Sequence, residues 1–229
     1  VFVPRPTLDI EHLTAEANSV LAEAYMDAGD LPRALKHLDA SADILSKWDR
    51  TCNLKGQILD SLGHRDEAVK IYLDAAKRFP DSHYAYMNLG SIASGSGDFA
   101  SAGKFFAKAL SLKPDDPDLL YNVGLLEQHR GAIPKAMEYY YRCLKLNPAH
   151  RKALNNFGAV LLMSGNAKAA AGLFTRALAL EPDNCGLMVN LAAAYLTLGD
   201  KASAKRLLER ALHLDPANAA APALLKSCK

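Results

Sequence analysis

The chain contains few of the residues that favour β-strands. Val, Ile and Thr together occur 18 times among its 229 residues, whereas Ala alone occurs 39 times. Because alanine has the highest helix propensity and β-branched residues favour strands, this balance predicts an all-α fold. A sheet-based enzyme fold is therefore disfavoured. Half of the residues are apolar, which excludes a disordered chain as well.

Cysteine is scarce and lacks the spacing of a metal site. The four cysteines, Cys52, Cys143, Cys185 and Cys228, form no C-x-x-C motif and no metal-type spacing with histidine. A chain of this length needs no disulfide framework. We therefore expect four reduced thiols, and we expect neither a metal nor a cofactor.

Long apolar runs and an excess of one charge are also missing. The longest apolar stretches, such as residues 157–163, are far shorter than a membrane span, so we expect a cytoplasmic protein without direct membrane insertion. The chain has 27 Lys and Arg against 25 Asp and Glu, which disfavours nucleic acid as a partner. Because Val1 is not methionine, a processed product and an excised fragment are both left open, as is a catalytic or membrane domain outside these residues.

Glycine recurs with a period of 34 residues, at positions 29, 63, 97, 131, 165 and 199. This period divides the chain into six repeats, numbered 1 to 6: 15–48, 49–82, 83–116, 117–150, 151–184 and 185–218. Counted within each repeat, position 20 is always Ala, position 8 is Ala or Gly, and position 24 is Leu, Tyr or Phe. Position 32 is Pro in five repeats, and Ser46 replaces it in repeat 1. Small and large residues therefore occupy fixed positions.

Each repeat predicts two helices that pack as a hairpin. Apolar residues at positions 4, 7, 8 and 11, and then at 20, 24, 27 and 28, follow helical spacing. Small residues at positions 8 and 20 allow the two backbones to approach, and the large residue at 24 fills the remaining space. Glycine at position 15 ends the first helix. The residues predicted to cap the second helix are Asp30, Asp98, Asn166 and Asp200.

These features resemble the tetratricopeptide repeat (TPR) family, whose 34-residue consensus has small residues at 8, 20 and 27, an aromatic residue at 24 and proline at 32. The resemblance implies a right-handed α-solenoid, a superhelix of six helix–turn–helix repeats. Lys55 and Glu127 depart from the pattern, because they place charges where apolar residues are usual.

The two ends of the chain differ from the repeats. Residues 1–14 are predicted as an extended lead-in that joins the first helix near Asp9, because Pro4 and Pro6 exclude an intact helix before repeat 1. Residues 219–229 are predicted as a capping helix, which covers the apolar flank that the last repeat of a solenoid exposes.

Asparagine occupies position 6 of four consecutive repeats, as Asn88, Asn122, Asn156 and Asn190. The family resemblance implies that positions 2, 5, 6, 9, 12 and 13 of the first helices face a ligand. An amide offers both a donor and an acceptor, so the row predicts binding of an extended peptide by its backbone. The row also resembles the asparagine ladder in the TPR region of O-linked N-acetylglucosamine transferases. The alternative interpretation is that these amides bond within their own helix or to the next one.

Further candidate residues lie beside the asparagines. Tyr84, Met87 and Tyr121, at positions 2 and 5, predict an apolar patch for a partner side chain, with partly buried groove wall as the alternative. Lys152, beside Asn155 and the asparagine row, is the predicted contact for an acidic residue of a ligand.

Charge changes along the chain and bears on its partners. Residues 1–48 carry −4, residues 49–116 carry 0 and residues 117–229 carry +6. This polarity predicts either an oriented partner or head-to-tail self-association, with ordinary solvated helix faces as the alternative. TPR co-chaperones hold the carboxylate tail of heat-shock proteins with Lys at position 5 and Asn at position 9, and neither is present here. That class of partner is disfavoured.

Histidines lie at scattered repeat positions, and no H-E-x-x-H motif or glycine-rich phosphate loop is present. The sequence therefore predicts a non-enzymatic scaffold that binds an extended segment of a protein partner, within a multi-protein complex as one form. Two alternatives stay open: a substrate-recognition region of a larger enzyme such as a glycosyltransferase, and a self-assembling subunit.

Overall fold

The computed structural model of the chain describes residues 10–39 and 49–228. Within these residues it contains thirteen α-helices and no strand. The helices are α1 Ile10–Asp27, α2 Leu31–Asp39, α3 Asp49–Ser61, α4 Arg65–Arg78, α5 His83–Gly95, α6 Phe99–Leu112, α7 Pro117–His129, α8 Ile133–Leu146, α9 Arg151–Met163, α10 Ala167–Leu180, α11 Cys185–Thr197, α12 Lys201–Leu214 and α13 Ala221–Lys226. The predicted all-α class is confirmed.

The helices form two compact units, Val1–Pro114 and Asp115–Lys229. In the first unit α1 pairs with α2, α3 with α4 and α5 with α6; in the second α7 pairs with α8, α9 with α10 and α11 with α12. Each hairpin also packs against the next one in its unit, as α4 does against α5 and α10 against α11. Stacked hairpins of this kind are the α-solenoid arrangement that the repeat predicts.

The pairing of small and large residues holds the two helices of a repeat together. Gly158 lies against the ring of Phe174, and a Cβ on this glycine would stand only 2.7 Å from Phe174 Cε1. Gly90 with Phe106 and Gly124 with Tyr140 show the same fit. In repeats 1 and 6, where position 24 is the smaller leucine, position 8 is Ala22 or Ala192. Position 8 is therefore glycine where position 24 is aromatic, and alanine where position 24 is leucine.

The turn within each hairpin is formed as predicted. Gly165 has a φ of +83°, and the Asn166 amide donates to the carbonyl of Leu161 at 2.8 Å, which ends α9. The Asn166 side chain then accepts a hydrogen bond from the Ala169 amide at 3.2 Å and caps α10. Side chains of the other predicted caps do the same: Asp30, Asp98 and Asp200.

The two charges that depart from the TPR pattern are compensated. Lys55 Nζ lies 2.6 Å from Asp39 Oδ1, and Glu127 Oε1 lies 3.0 Å from Arg130 Nη1. Each of the two charges is therefore paired with an opposite charge.

The ends of the chain require one correction. Helix α1 begins at Ile10, so residues 10–14 are helical and do not belong to an extended lead-in. Pro4 and Pro6, on which the exclusion of an intact helix before repeat 1 rests, do not bear on residues 10–14, and residues 1–9 lie outside the described part. Ser46 is also outside it. After repeat 6, α13 packs Leu224 and Leu225 against the cluster around Leu208.

Candidate functional site

One face of each first helix stays accessible while the opposite face is packed. On α9 the packed residues Ala153, Leu154, Gly158 and Leu161 are buried. The accessible residues lie three or four positions apart and share one side of the helix. They are Lys152, Asn155, Asn156, Ala159, Leu162 and Met163. Within each unit we call the surface formed by positions 2, 5, 6, 9, 12 and 13 of the first helices the ladder face, and we call Asn88, Asn122, Asn156 and Asn190 the ladder asparagines.

Three of the ladder asparagines bond to the preceding repeat of the same unit. Asn190 Nδ2 donates to Asn155 Oδ1 at 2.9 Å, and Asn156 Nδ2 donates to the Tyr121 hydroxyl at 3.1 Å. In the first unit the amide of Asn88 donates to Asn53 Oδ1. In each pair the partner stands at position 5, 35 residues earlier. Hydrogen bonds between repeats, the alternative interpretation of the asparagine row, are therefore present in the structure.

These bonds leave hydrogen-bonding capacity on the ladder face. A side-chain amide has two N–H donors and a carbonyl oxygen, so Asn190 keeps one N–H and its Oδ1 after bonding to Asn155. Asn156 also accepts from Asn155 Nδ2 at 3.4 Å, and its side chain interacts with the Tyr140 hydroxyl as well, so it is more fully engaged than Asn190. Asn122 makes no side-chain hydrogen bond with any described residue. The bonds between repeats fix the orientation of the Asn156 and Asn190 amides.

A pocket of about 240 Å³ opens on the ladder face between α9 and α11. Its lining residues are Arg151, Lys152, Asn155, Glu181, Asn184, Gly186, Leu187 and Asn190. Arg151 Nη1 is paired with Glu181 Oε1 at 2.9 Å. Lys152 has no ion pair within the described residues, although its charge contributes to the lowered pKa of Asp118. The structure thus brings together Lys152, Asn155 and Asn190, three of the predicted site residues.

The first unit has a different pocket on its ladder face. It has a volume of about 260 Å³ and is lined by Met26, Gln57, Asp60, Ser61, Tyr72, Asn88, Ser91 and Ile92. Its position-9 residues Gln57 and Ser91 lie beside Asn88, and Asp60 is its one charged residue. The contribution of Gln57 and Ser91 was not foreseen from the sequence, because neither belongs to a recurring residue type.

The predicted apolar patch is formed only in part. The side chain of Met87 is 7% exposed, so it is buried and is not presented to a ligand. Burial of a thioether chain is favourable, and this outweighs the exposure that its repeat position implies. Tyr84 is 38% exposed, with its ring 4.0 Å from that of His83. Tyr121 is half-buried, and burial raises the pKa of its hydroxyl despite the hydrogen bond from Asn156.

His150 caps helix α9 and bonds to Asp118, two roles that the sequence did not indicate. Its buried ring lies 5.0 Å from the ring of Tyr121. The Nδ1 atom accepts a hydrogen bond from the Ala153 amide at 3.0 Å and caps α9, so the proton of the neutral ring is on Nε2. This N–H donates to Asp118 Oδ1 at 3.0 Å and lowers the pKa of that carboxyl group. The only sequence signal was a histidine immediately before a predicted helix.

The described residues provide neither a metal site nor a membrane span. They contain no group of three or more His, Cys, Asp or Glu side chains arranged to hold a metal ion. Nor does any helix among them combine the length and the apolar character needed to cross a membrane. All four cysteines are free thiols.

The chain resembles many solved structures in fold. The APC/C hetero-tetramer Cut9–Hcn1 contains a chain with a TM-score of 0.83 and 20% identity; the match covers 93% of the present chain and 42% of that chain. The present chain thus spans less than half the length of that relative. PilF of Pseudomonas aeruginosa has a TM-score of 0.79 and 15% identity, with coverage of 94% and 98%. YrrB, described as a TPR protein with an unusual peptide-binding site, has a TM-score of 0.63 and 20% identity, with coverage of 82% and 97%.

At these identities the similarities show the fold alone. No curated protein matches the sequence. The resemblance of the asparagine row to that of the glycosyltransferase stays a prediction. Family models for the tetratricopeptide repeat match residues 53–117 and 95–148, and a further one matches residues 161–228, so together they cover well over half of the chain. The chain therefore belongs to the tetratricopeptide repeat family.

Proposed function

We propose that this protein is an interaction scaffold that binds an extended segment of a partner protein on its ladder face. The asparagine amides bond to the backbone of the segment. The observation that carries the proposal is the state of these amides: Asn156 and Asn190 are each fixed by a bond to the preceding repeat, and Asn190 keeps one N–H and its Oδ1. A relative described as having a peptide-binding site, YrrB, adds support from the fold.

Energetics requires several asparagines to act together. A hydrogen bond between uncharged groups contributes about 0.5–1.5 kcal/mol net. One amide would therefore give a negligible affinity, whereas four give at least about 2 kcal/mol, or roughly thirtyfold in the dissociation constant. Binding through the backbone also predicts broad tolerance of partner sequence, because every residue presents the same peptide group.

The proposal is tested with displayed random peptides. Wild-type protein is expected to enrich peptides, and a variant with Asn88, Asn122, Asn156 and Asn190 replaced by Ala should bind the enriched peptides at least about thirtyfold more weakly. Asn147→Ala is the matched control, because that asparagine lies in the loop between α8 and α9 and bonds only to the Ala149 amide. Circular dichroism must show that the quadruple variant keeps its helices.

Asn122→Ala separates binding from stability. Since Asn122 has no side-chain partner within the described residues, its loss removes no bond between repeats, yet it should weaken peptide binding. Undiminished affinity in both the single and the quadruple variant would contradict the proposed function.

A further inference from the structure

The ladder face of the second unit has two chemically different edges. Along α9 the first half of the face carries Lys152, Asn155 and Asn156, and the second half carries Leu162 and Met163. On α11 Asn190 is likewise followed by Ala193 and Leu196, and on α7 Asn122 is followed by Leu125; all of these side chains are partly exposed. We call Lys152 the polar edge of this face and Leu162, Met163 and Leu196 its apolar edge. The asparagines lie between the two edges.

The apolar edge belongs to α9 and α11 and is a property neither of the fold nor of the whole unit, because positions 12 and 13 of α7 are Gln128 and His129. The same positions 9, 12 and 13 of α3 carry Gln57, Asp60 and Ser61. On α5 positions 9 and 12 are Ser91 and Ser94. Packing within a repeat thus does not demand apolar residues here. Their presence on α9 and α11 needs another reason.

Met163 is the most exposed large apolar side chain of the described residues, at 82%. A single exposed apolar residue needs no explanation, but Met163 stands next to Leu162, and Leu196 of the neighbouring α11 is the counterpart of Leu162 one repeat later. Methionine is flexible and polarisable, and it adapts to different partner side chains. The apolar edge is therefore suited to contact with a ligand.

The charge of the polar edge indicates the sign of the ligand. Lys152 is exposed and has no ion pair within the described residues, although its charge also acts on Asp118 at position 2 of α7; its neighbour Arg151 is paired with Glu181. Residues 117–229 contain 14 Lys and Arg against 8 Asp and Glu, so the surrounding field also favours an anion. An acidic side chain placed beside Lys152 would therefore find an available cation.

We infer that the second unit selects an extended partner segment in which acidic and apolar side chains alternate. This inference rests on the proposed function, since the asparagines must hold the backbone along the line between the edges. Successive side chains of an extended chain point in opposite directions. Every other side chain then meets the polar edge at Lys152, and those between meet the apolar edge at Leu162, Met163 and Leu196.

The test uses three labelled peptides, measured by fluorescence anisotropy with the full chain. In the first Glu and Val alternate, in the second Lys and Val alternate, and in the third the Glu and Val of the first are grouped into two blocks. The first is expected to bind about tenfold or more tightly than either of the others, because it alone matches both edges. Equal affinity for all three peptides, or no binding of the first, overturns the inference.

Two substitutions test whether Lys152 and Met163 contact the peptide as proposed. Lys152→Glu should reverse the preference between the Glu–Val and Lys–Val peptides, and Met163→Glu should weaken the Glu–Val peptide by about tenfold. The matched controls are Lys168→Glu and Tyr141→Glu, which change exposed residues of the second helices α10 and α8. Controls that weaken binding as much as the two substitutions would overturn the inference.

The asparagine variants show which proposal fails. If Asn156→Ala and Asn190→Ala weaken all three peptides equally and no preference exists, the proposed function stands and the alternation is wrong. If the preference depends on Lys152 and Met163 but not on the asparagines, the selectivity is supported and the proposed backbone contact fails.

Discussion

Asn190 donates a hydrogen bond at 2.9 Å to Asn155, which lies one repeat earlier and 35 residues away in the chain. The same step joins Asn156 to Tyr121 and Asn88 to Asn53. The ladder asparagines thus connect neighbouring repeats of a unit in addition to presenting amides on the accessible face. Stability and recognition share the same side chains, and variants must be chosen to separate the two.

The bond between Asn155 and Asn190 should appear as an energetic coupling. We expect Asn155→Ala and Asn190→Ala each to lower the free energy of unfolding by about 1 kcal/mol, because each leaves a partly buried amide without its partner. The double variant should cost less than the sum of the two, with a coupling of at least about 0.5 kcal/mol. Urea unfolding followed by circular dichroism measures all three. Strict additivity would show that the bond contributes nothing.

The contact between Gly158 and Phe174 predicts a size-dependent variant. Gly158→Ala should lower the free energy of unfolding by about 1–3 kcal/mol, because the added Cβ would stand 2.7 Å from the ring. Combining it with Phe174→Leu should restore part of the loss, since repeats 1 and 6 already pair Ala with Leu.

Gly172 provides the control for that experiment. It is an exposed glycine within α10, and a Cβ there would meet no atom within 4 Å. Gly172→Ala should therefore raise the free energy of unfolding by about 0.5–1 kcal/mol through helix propensity alone. A loss of stability in both glycine variants would contradict the proposed size pairing.

The repeat architecture could be predicted from the sequence because it depends on local chemistry. The glycine at position 15, the cap at position 16 and the small residue at position 8 each act within one hairpin, as Gly165, Asn166 and Gly158 show. The first helix was predicted to start near Asp9, and α1 begins at Ile10, so only the end of the lead-in, placed at residue 14, was wrong.

The site could be predicted less completely because it depends on contacts between repeats. The positions of the ladder asparagines followed from the sequence, but their bonds to position 5 did not. Met87 occupies a position expected to face the ligand, and the structure buries it. Nor does one sequence show that His150 bonds to Asp118, a residue 32 positions earlier. Such pairs become visible only when the hairpins are stacked.

The hydrogen bond from His150 makes the stability of the second unit depend on pH. It lowers the pKa of Asp118 in the folded state, so this group stabilises the fold above its ordinary pKa of 3.8, and the contribution is lost as the pH falls through the folded-state pKa. Asp118→Asn should therefore be less stable than the wild type near about pH 6, and the difference should shrink below about pH 3. Urea midpoints across this range measure the effect. A difference independent of pH would contradict the assigned bond.

Burial should protect one cysteine from chemical labelling. Burial raises the pKa of Cys143 to about 12, with a further contribution from Asp118 and Asp116. The thiol should stay protonated and unreactive in the folded protein up to at least about pH 9, because only the thiolate attacks. Mass spectrometry after brief alkylation should find label at the partly exposed Cys185 before Cys143. Equally rapid labelling of both would show that Cys143 is accessible.

Binding of a peptide backbone by the ladder asparagines is tested most directly by following their side-chain amide signals in NMR spectra. The protein is titrated with the alternating Glu–Val peptide until binding, measured by anisotropy, is saturated. We predict that the amide signals of Asn122, Asn156 and Asn190 shift together with the bound fraction, while that of Asn147 stays in place. Saturated binding that leaves the three ladder signals unchanged would contradict the proposed contact.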